Sequence, residues 1–134
     1  MTPSEARRRF AAARVARLAT VSGAGVPHLV PVTFAVDGDV VYSAVDAKPK
    51  RSTALRRLAN VAENPRVSLL VDFYDDDWSR LWWARADGVA RVVPPDAAEA
   101  GPAAALLASR YTRFVLKGPV LVVDVARWSG WSAA

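Results

Sequence analysis

Residues 28–44 read HLVPVTFAVDGDVVYSA, and this stretch largely determines the predicted fold. Apolar and β-branched residues on both sides of Asp37-Gly38 predict two strands, residues 28–36 and Val40–Ala44. A type I′ turn needs positive φ at its central residues, and Asp-Gly is a favoured pair there, so we expect the two strands to form a hairpin. Pro31 has no backbone donor, which predicts an edge or bulged position for the first strand.

Outward from this hairpin, the hydrophobic period predicts alternating strands and short helices. Further strands are expected at residues 15–21, 67–73, 78–93 (one bent strand or two) and 120–125, with 127–131 as a tail. Helices are expected at residues 3–14, 52–63 and 96–109, the first capped by Thr2 with Glu5 and the third by Asp96. Six strands with flanking helices predict a mainly β protein, an antiparallel barrel forming a single domain over residues 1–134.

Composition narrows the possible functions. Apolar residues make up 52% of 134, as expected for a globular domain. Without cysteine there are no disulfides or thiolate sites, and the single histidine, His28, makes a zinc or iron centre or a Ser-His-Asp triad an unpromising interpretation. No apolar run reaches the roughly 18–20 residues of a membrane helix. The N-terminus does not resemble a secretory signal, so we expect a cytoplasmic protein with no membrane partner.

Positive charge points to an anionic partner. The net charge is +5, and fifteen of the eighteen basic residues are arginine. Nucleic acid and phosphorylated ligands both fit such a charge. The basic residues are scattered except at residues 48–57, which weighs against nucleic acid.

One segment joins cations to a predicted helix start. The strand Val40–Ala44 leads into a loop with Lys48, Lys50 and Arg51, and a helix is expected to open at Ser52-Thr53. Unpaired N–H groups at a helix N-terminus, hydroxyls and cations together suit a phosphate. The alternative is that Ser52 or Thr53 only caps the helix and the cations are only solvated. The helix period predicts an apolar stripe of Leu55, Leu58, Ala59 and Ala62, with Arg56, Arg57, Asn60 and Glu63 facing outward.

Five tryptophans are the second unusual feature: Trp78, Trp82, Trp83, Trp128 and Trp131. Trp82 and Trp83 would point to opposite faces of a strand, so we expect both faces to be covered. One interpretation is that they are core and subunit-interface residues, where tryptophan is enriched, and the other is that they form a wall for a planar ring. Both interpretations hold if a ligand lies at the interface.

Several of these segments resemble one family. RLATV (residues 17–21), GVPH (25–28) and VTF (32–34) resemble the opening of the pyridoxamine-phosphate-oxidase-like split-barrel family, which binds FMN. Lys50-Arg51 with residues 55–58, followed by NPRVSLLVD (64–72), resembles its phosphate-binding stretch and next strand. WSRLWW (78–83) and RWSGWS (127–132) resemble its actinobacterial branch of deazaflavin (coenzyme F420)-dependent oxidoreductases. The chain is much shorter than true pyridoxamine-phosphate oxidases and lacks a recognisable C-terminal substrate motif, so that particular activity is not expected.

The resemblance implies a homodimer with two cofactor sites at the subunit interface. Its predicted cofactor-binding residues fall into three groups. They are Pro31, Val32, Thr33, Ser43 and Ala44 for the ring; Lys48, Lys50, Arg51, Ser52 and Thr53 for the phosphate; and Trp82, Trp83 and Trp128 from the partner subunit. Arg56 and Arg57 are weaker candidates, for the tail of the deazaflavin.

The implied activity is hydride transfer from reduced F420 to a small unsaturated substrate. No catalytic side chain is named, because the cofactor performs the difficult step. The alternatives are an FMN-binding oxidoreductase of the same fold, a cofactor-binding protein without turnover, and a nucleic-acid-binding protein.

Overall fold

The computed structural model describes residues 1–44 and 51–133, with residues 51–55 described by their backbone only. Within these ranges the chain forms seven strands, three α-helices and one 3₁₀ turn. The helices are α1 (Pro3–Ala12), α2 (Arg51–Glu63) and α3 (Ala100–Arg110), and the 3₁₀ turn is Trp78–Arg80. The strands are β1 (Ala16–Val21), β2 (Pro27–Val32), β3 (Ala35–Asp37), β4 (Val40–Ala44), β5 (Arg66–Phe73), β6 (Trp82–Val93) and β7 (Val120–Ser132).

The seven strands form one antiparallel sheet in the order β2-β1-β5-β6-β7-β4-β3. A flat sheet of this size would separate its edge strands by roughly 29 Å, at about 4.8 Å per strand. However, β2 ends at Val32 and β3 begins at Ala35, and three peptide steps span at most about 11 Å. The sheet must therefore curl until its two edges approach one another, which makes it a barrel that is split between β2 and β3.

The mainly β class is confirmed, but the six-strand count is wrong. The predicted strand 28–36 is two strands, because Thr33-Phe34 crosses from one sheet edge to the other. The predicted edge position of Pro31 is confirmed, since β2 is an edge strand. The Asp37-Gly38 hairpin is confirmed as β3–β4, with φ of 59° at Gly38. No non-glycine residue in the described ranges has positive φ, so this turn is not the expected type I′, which needs positive φ at both loop residues.

The C-terminal half also differs from the sequence-based prediction. Residues 127–131 are not a tail: β7 pairs with β6 along almost its whole length, from Trp82↔Ser132 to Val93↔Val120. The register shifts at a β-bulge between Asp87 and Gly88. The third helix begins at Ala100 rather than being capped by Asp96, and its N-cap position, Glu99, makes no side-chain capping bond.

The main core fills the barrel, and α1 packs against it. Thr2 caps α1 as predicted, its Oγ1 accepting from the Glu5 N–H at 3.1 Å. The Glu5 carboxylate accepts hydrogen bonds from the side chains of Arg8 and Arg9 in the next turn. Phe10 lies fully buried with its ring centroid 4.9 Å from that of Phe34. A second, smaller cluster lies under α3 and involves the N-terminal end of β7.

Candidate functional site

The structure brings together the two segments predicted to hold a ring. Thr33 follows edge strand β2, and Ser43 is a buried residue of β4. The Ser43 hydroxyl donates to the Thr33 carbonyl oxygen at 2.8 Å. β2 pairs with β1 on one side only, so the row of N–H and C=O groups on its other side has no strand partner in the described sheet. The end of β4 is thus in contact with the residue that follows the β2 edge.

The predicted phosphate segment is described only in part. Lys48 and Lys50 lie outside the described residues. Arg51, Ser52 and Thr53 form the first turn of α2, so the predicted helix start is confirmed to within one residue. Whether these residues bind a phosphate stays a prediction.

The predicted face of α2 is wrong in part: Arg56 and Glu63 are exposed as predicted, but other positions are not as expected. Ala59 and Ala62 are exposed, whereas Asn60 and Val61 are buried, with exposed fractions of 5% and 4%. The reason is a polar contact that the hydrophobic period cannot detect. The Asn60 side-chain amide donates to Thr20 Oγ1 of β1 at 3.0 Å, with both side chains buried. This bond compensates for the cost of burying the two polar groups and sets the rotation of the helix.

The same rotation turns Arg57 inward. It precedes Asn60 by three residues and therefore shares its helix face. Arg57 is half-buried, contrary to the predicted outward position, and its Nε is buried without a hydrogen-bond partner among the described residues. Burial lowers the pKa of this guanidinium. An unpaired buried donor on a cation is costly, and a bound anion would offset that cost. No signal in the sequence identified Arg57 above its neighbour Arg56.

Trp82 and Trp83 occupy opposite sides of β6, as predicted. Trp82 packs against the core, with the Arg9 guanidinium 5.4 Å from its ring centroid. Trp83 accompanies Arg85, whose guanidinium lies 5.5 Å from the Trp83 ring. Both residues belong to the lining of an open pocket of about 380 Å³, which is also lined by Leu70, Asp72, Phe73, Tyr74, Leu81, Arg85 and Trp131. The pocket thus has several aromatic walls and charged groups of both signs.

Trp128 belongs to the core of its own chain. It is 7% exposed, and its ring packs edge-on against Phe10 at 5.3 Å. Its Nε1 donates to Asp39 Oδ1 at 2.9 Å, and Arg7 contacts the same oxygen. The Trp128 bond, followed by that from Arg7, lowers the pKa of Asp39. A contact between Trp128 and a cofactor on a partner subunit stays a prediction.

The described part of the chain holds neither a metal-binding cluster nor a membrane-spanning helix. No group of three or more histidine, cysteine, aspartate or glutamate side chains there is placed to hold a metal ion. None of its helices is long and apolar enough to cross a membrane. The Nδ1 of His28 is buried, with no hydrogen-bond partner among the described residues.

The curled seven-stranded sheet with flanking helices defines a split-barrel protein. A family model described as pyridoxamine 5'-phosphate oxidase matches residues 2–132, and the chain belongs to this family. A 5a,11a-dehydrotetracycline/5a,11a-dehydrooxytetracycline reductase of Streptomyces rimosus is 39% identical over 56 residues, which are 42% of this chain and 38% of the reductase. The matching segment therefore spans well under half of that relative's length.

Solved structures of other proteins share the fold. A FAD-binding protein from Mesorhizobium loti has a TM-score of 0.73 at 21% identity, covering 97% of this chain and 92% of that one. The heme storage protein HutZ from Vibrio cholerae has a TM-score of 0.73 at 18% identity, covering 98% and 95%. At these identities the similarity extends to the fold alone.

Proposed function

We propose that this protein is an oxidoreductase that uses reduced deazaflavin coenzyme F420 to reduce a small unsaturated molecule. The observation that carries the proposal is the hydrogen bond from Ser43 to the Thr33 carbonyl oxygen at an unpaired sheet edge. It joins the two segments for which the resemblance implies contact with a tricyclic ring. The Streptomyces relative is named as a reductase of dehydro compounds, which supports the direction of the reaction.

The proposed site would hold a planar ring that carries an anionic chain. Backbone groups of Pro31 and Val32, at the outer edge of β2, and of Thr33, which follows it, would bind the polar edge of the ring, with Ser43 and Ala44 beside them. The anionic group would meet Lys48, Lys50, Arg51, Ser52 and Thr53. We add Arg57 to this set because its buried Nε has no other partner among the described residues. When bound, the cofactor supplies the hydride, while these residues bind and orient it.

A second copy of the chain would complete the site. Leu29, Leu70 and Trp131 are exposed on the outer side of the sheet, with exposed fractions of 67%, 37% and 48%. Apolar groups clustered on one face are typical of an interaction surface. In a homodimer formed through this face, the pocket beside Trp82 and Trp83 would lie against the cofactor of the other subunit, as the resemblance implies. Trp128 would support the site from the core of the barrel, where it is buried.

FMN is the alternative cofactor on the same fold. The FAD-binding relative and the family itself support a flavin, and FMN also has one phosphate for the same basic segment. A protein that binds F420 without turnover is the third hypothesis.

Side-by-side titration with FMN and F420 distinguishes the F420-dependent oxidoreductase from the FMN-binding one. Quenching of deazaflavin fluorescence at micromolar protein is expected; a yellow protein with a flavin spectrum would instead establish the FMN reading. Turnover of reduced F420 with enone or quinone acceptors is expected too, and its absence would leave only binding.

The basic residues provide the first prediction. We expect Lys50→Ala, Arg51→Ala and Arg57→Ala each to weaken cofactor binding by about 1.5–3 kcal/mol, since each removes a charged hydrogen bond. The matched control is Arg113→Ala, an exposed arginine between α3 and β7, which should retain the affinity of the original protein. The measurement is fluorescence titration of each variant. Unchanged affinity in both the Lys50 and Arg51 variants would refute the phosphate assignment, and unchanged affinity in the Arg57 variant would remove Arg57 from the site.

A further inference from the structure

The crossover between β2 and β3 has its backbone held by side chains. Phe34 is fully buried and lies in neither strand. Its N–H donates to the Tyr111 hydroxyl at 3.1 Å. Its carbonyl oxygen is 3.0 Å from the same hydroxyl and accepts from Arg110 Nη1 at 2.7 Å. Two consecutive residues at the end of α3 therefore satisfy both backbone polar groups of Phe34.

The peptide group between Thr33 and Phe34 is bound at both of its polar atoms. Its oxygen is the Thr33 carbonyl, which accepts from Ser43 at 2.8 Å, and its N–H is the Phe34 donor bound by Tyr111. A peptide group is planar, so fixing both atoms fixes the orientation of the whole unit. This unit adjoins the β2 edge where the ring is proposed to bind.

Arg110 and Tyr111 are themselves anchored to the link between α1 and β1. Arg110 Nη2 donates to the Ala13 carbonyl oxygen, and the Tyr111 hydroxyl lies 3.0 Å from the Arg14 carbonyl oxygen. Arg14 in turn donates to the Arg110 carbonyl oxygen at 2.6 Å. The Arg110 guanidinium also lies 5.0 Å from the Phe34 ring centroid. The pair therefore ties the crossover to two other segments and gives it a rigid support.

We propose that Arg110 and Tyr111 are positioning residues for the cofactor: they fix the crossover peptide, and through it the backbone groups of Val32 and Thr33 that would meet the ring. The inference rests on the proposed function. Neither residue needs to touch the cofactor. Binding groups must be held within a fraction of an ångström of their productive positions, and an edge strand lacks a second neighbouring strand to do this. The pair supplies the missing constraint from α3.

The test is Tyr111→Phe, which removes only the hydroxyl. We expect its affinity for F420, or for FMN if that is the cofactor bound, to fall about five- to twentyfold, since the buried Phe34 N–H loses its acceptor. At saturating cofactor, the emission of the bound ring should also differ from that of the original protein. Tyr42→Phe is the matched control: Tyr42 is a half-buried tyrosine of β4 that packs with the cluster under α3. It should leave affinity and emission unchanged.

Arg110→Lys is the second variant and decides the question if Tyr111→Phe does not fold. A lysine keeps the charge but cannot donate to the Phe34 and Ala13 carbonyl oxygens in the same fork, so a similar loss of affinity is expected. Cofactor binding by the original protein, with unchanged affinity and emission in every folded variant of the pair, would overturn the inference and leave the proposed function standing. Binding of neither cofactor by the original protein would refute the proposed function, and this inference with it.

Discussion

At the scale of single residues, one buried hydrogen bond sets how α2 meets the sheet. Asn60 and Thr20 are 5% and 1% exposed, and their side chains bind one another at 3.0 Å. Removing one member leaves the other buried without its partner, which costs more than the bond itself contributes. The pair therefore explains why a polar residue occupies a position that hydrophobic periodicity assigns to solvent.

This pair gives a prediction for stability. Thr20→Val and Asn60→Leu, both close in shape to the original side chains, should each lower the free energy of unfolding by about 1–3 kcal/mol. The double variant should lose much less than the sum, because neither group is then left without a partner. Urea denaturation of the four proteins measures the difference. Additive losses would show that the two side chains do not depend on each other.

At the scale of elements, the β-bulge of β6 depends on the identity of one residue. Gly88 lies where the register between β6 and β7 shifts, and a Cβ added there would collide with the backbone around Asp124. The atoms that this Cβ would meet belong to the backbone of β7, so the collision cannot be relieved by moving a flexible side chain. A glycine is therefore required at this point of close approach.

We expect Gly88→Ala to destabilise the protein by about 1–3 kcal/mol, as overpacking does in a well-packed interior. Gly101→Ala is the matched control, because a Cβ at Gly101 would meet no atom within 4 Å and the residue lies in α3. Alanine is favoured over glycine in a helix, so this control should be neutral or stabilising by about 0.5–1 kcal/mol. Thermal and urea denaturation provide the comparison. Equal stability of the two variants would contradict the assigned register of the bulge.

The elements also show what the sequence can reveal. The hairpin at Asp37-Gly38 and the cap at Thr2 depend on neighbours a few residues apart, and both were predictable. The break after Val32 was not, because Thr33-Phe34-Ala35 continues the apolar pattern while its partners, Arg110 and Tyr111, lie more than seventy residues later. The site follows the same rule. Its basic segment is local and visible, whereas the inward position of Arg57 depends on the bond between Asn60 and Thr20.

At the scale of the whole molecule, the outer side of the sheet provides the surface for the proposed homodimer. Leu70 lies in β5 between two arginines on neighbouring strands, opposite Arg17 of β1 and Arg85 of β6. Side chains paired in this way lie on one face of the sheet. The central outer surface therefore combines an apolar residue with two cations. Asp72 and Asp87 offset part of this positive charge by ion pairs with Arg17 and Arg85.

Leu70→Asp tests this surface. The new carboxylate can pair with Arg17 and Arg85 within its own chain, so the subunit should stay folded, while a charge replaces apolar contact in the dimer. We expect a shift from dimer to monomer in sedimentation experiments, together with weaker cofactor binding. Val115→Asp, at a position 65% exposed between α3 and β7, should remain dimeric. A monomeric original protein, or an undisturbed dimer in Leu70→Asp, would contradict the proposed interface.

The pairing of β4 with β7 has a consequence for how the chain folds. Val40 meets Asp124 and Ala44 meets Val120, so the early hairpin completes its sheet only with the last strand described. Such distant pairing slows folding, since a large loop must close, at a cost in entropy, before the contacts between the two strands can stabilise it. During synthesis the β4 edge has no partner until β7 leaves the ribosome. An unpaired strand edge attracts other chains, so we expect this hairpin to be the segment of the nascent protein most in need of protection by chaperones.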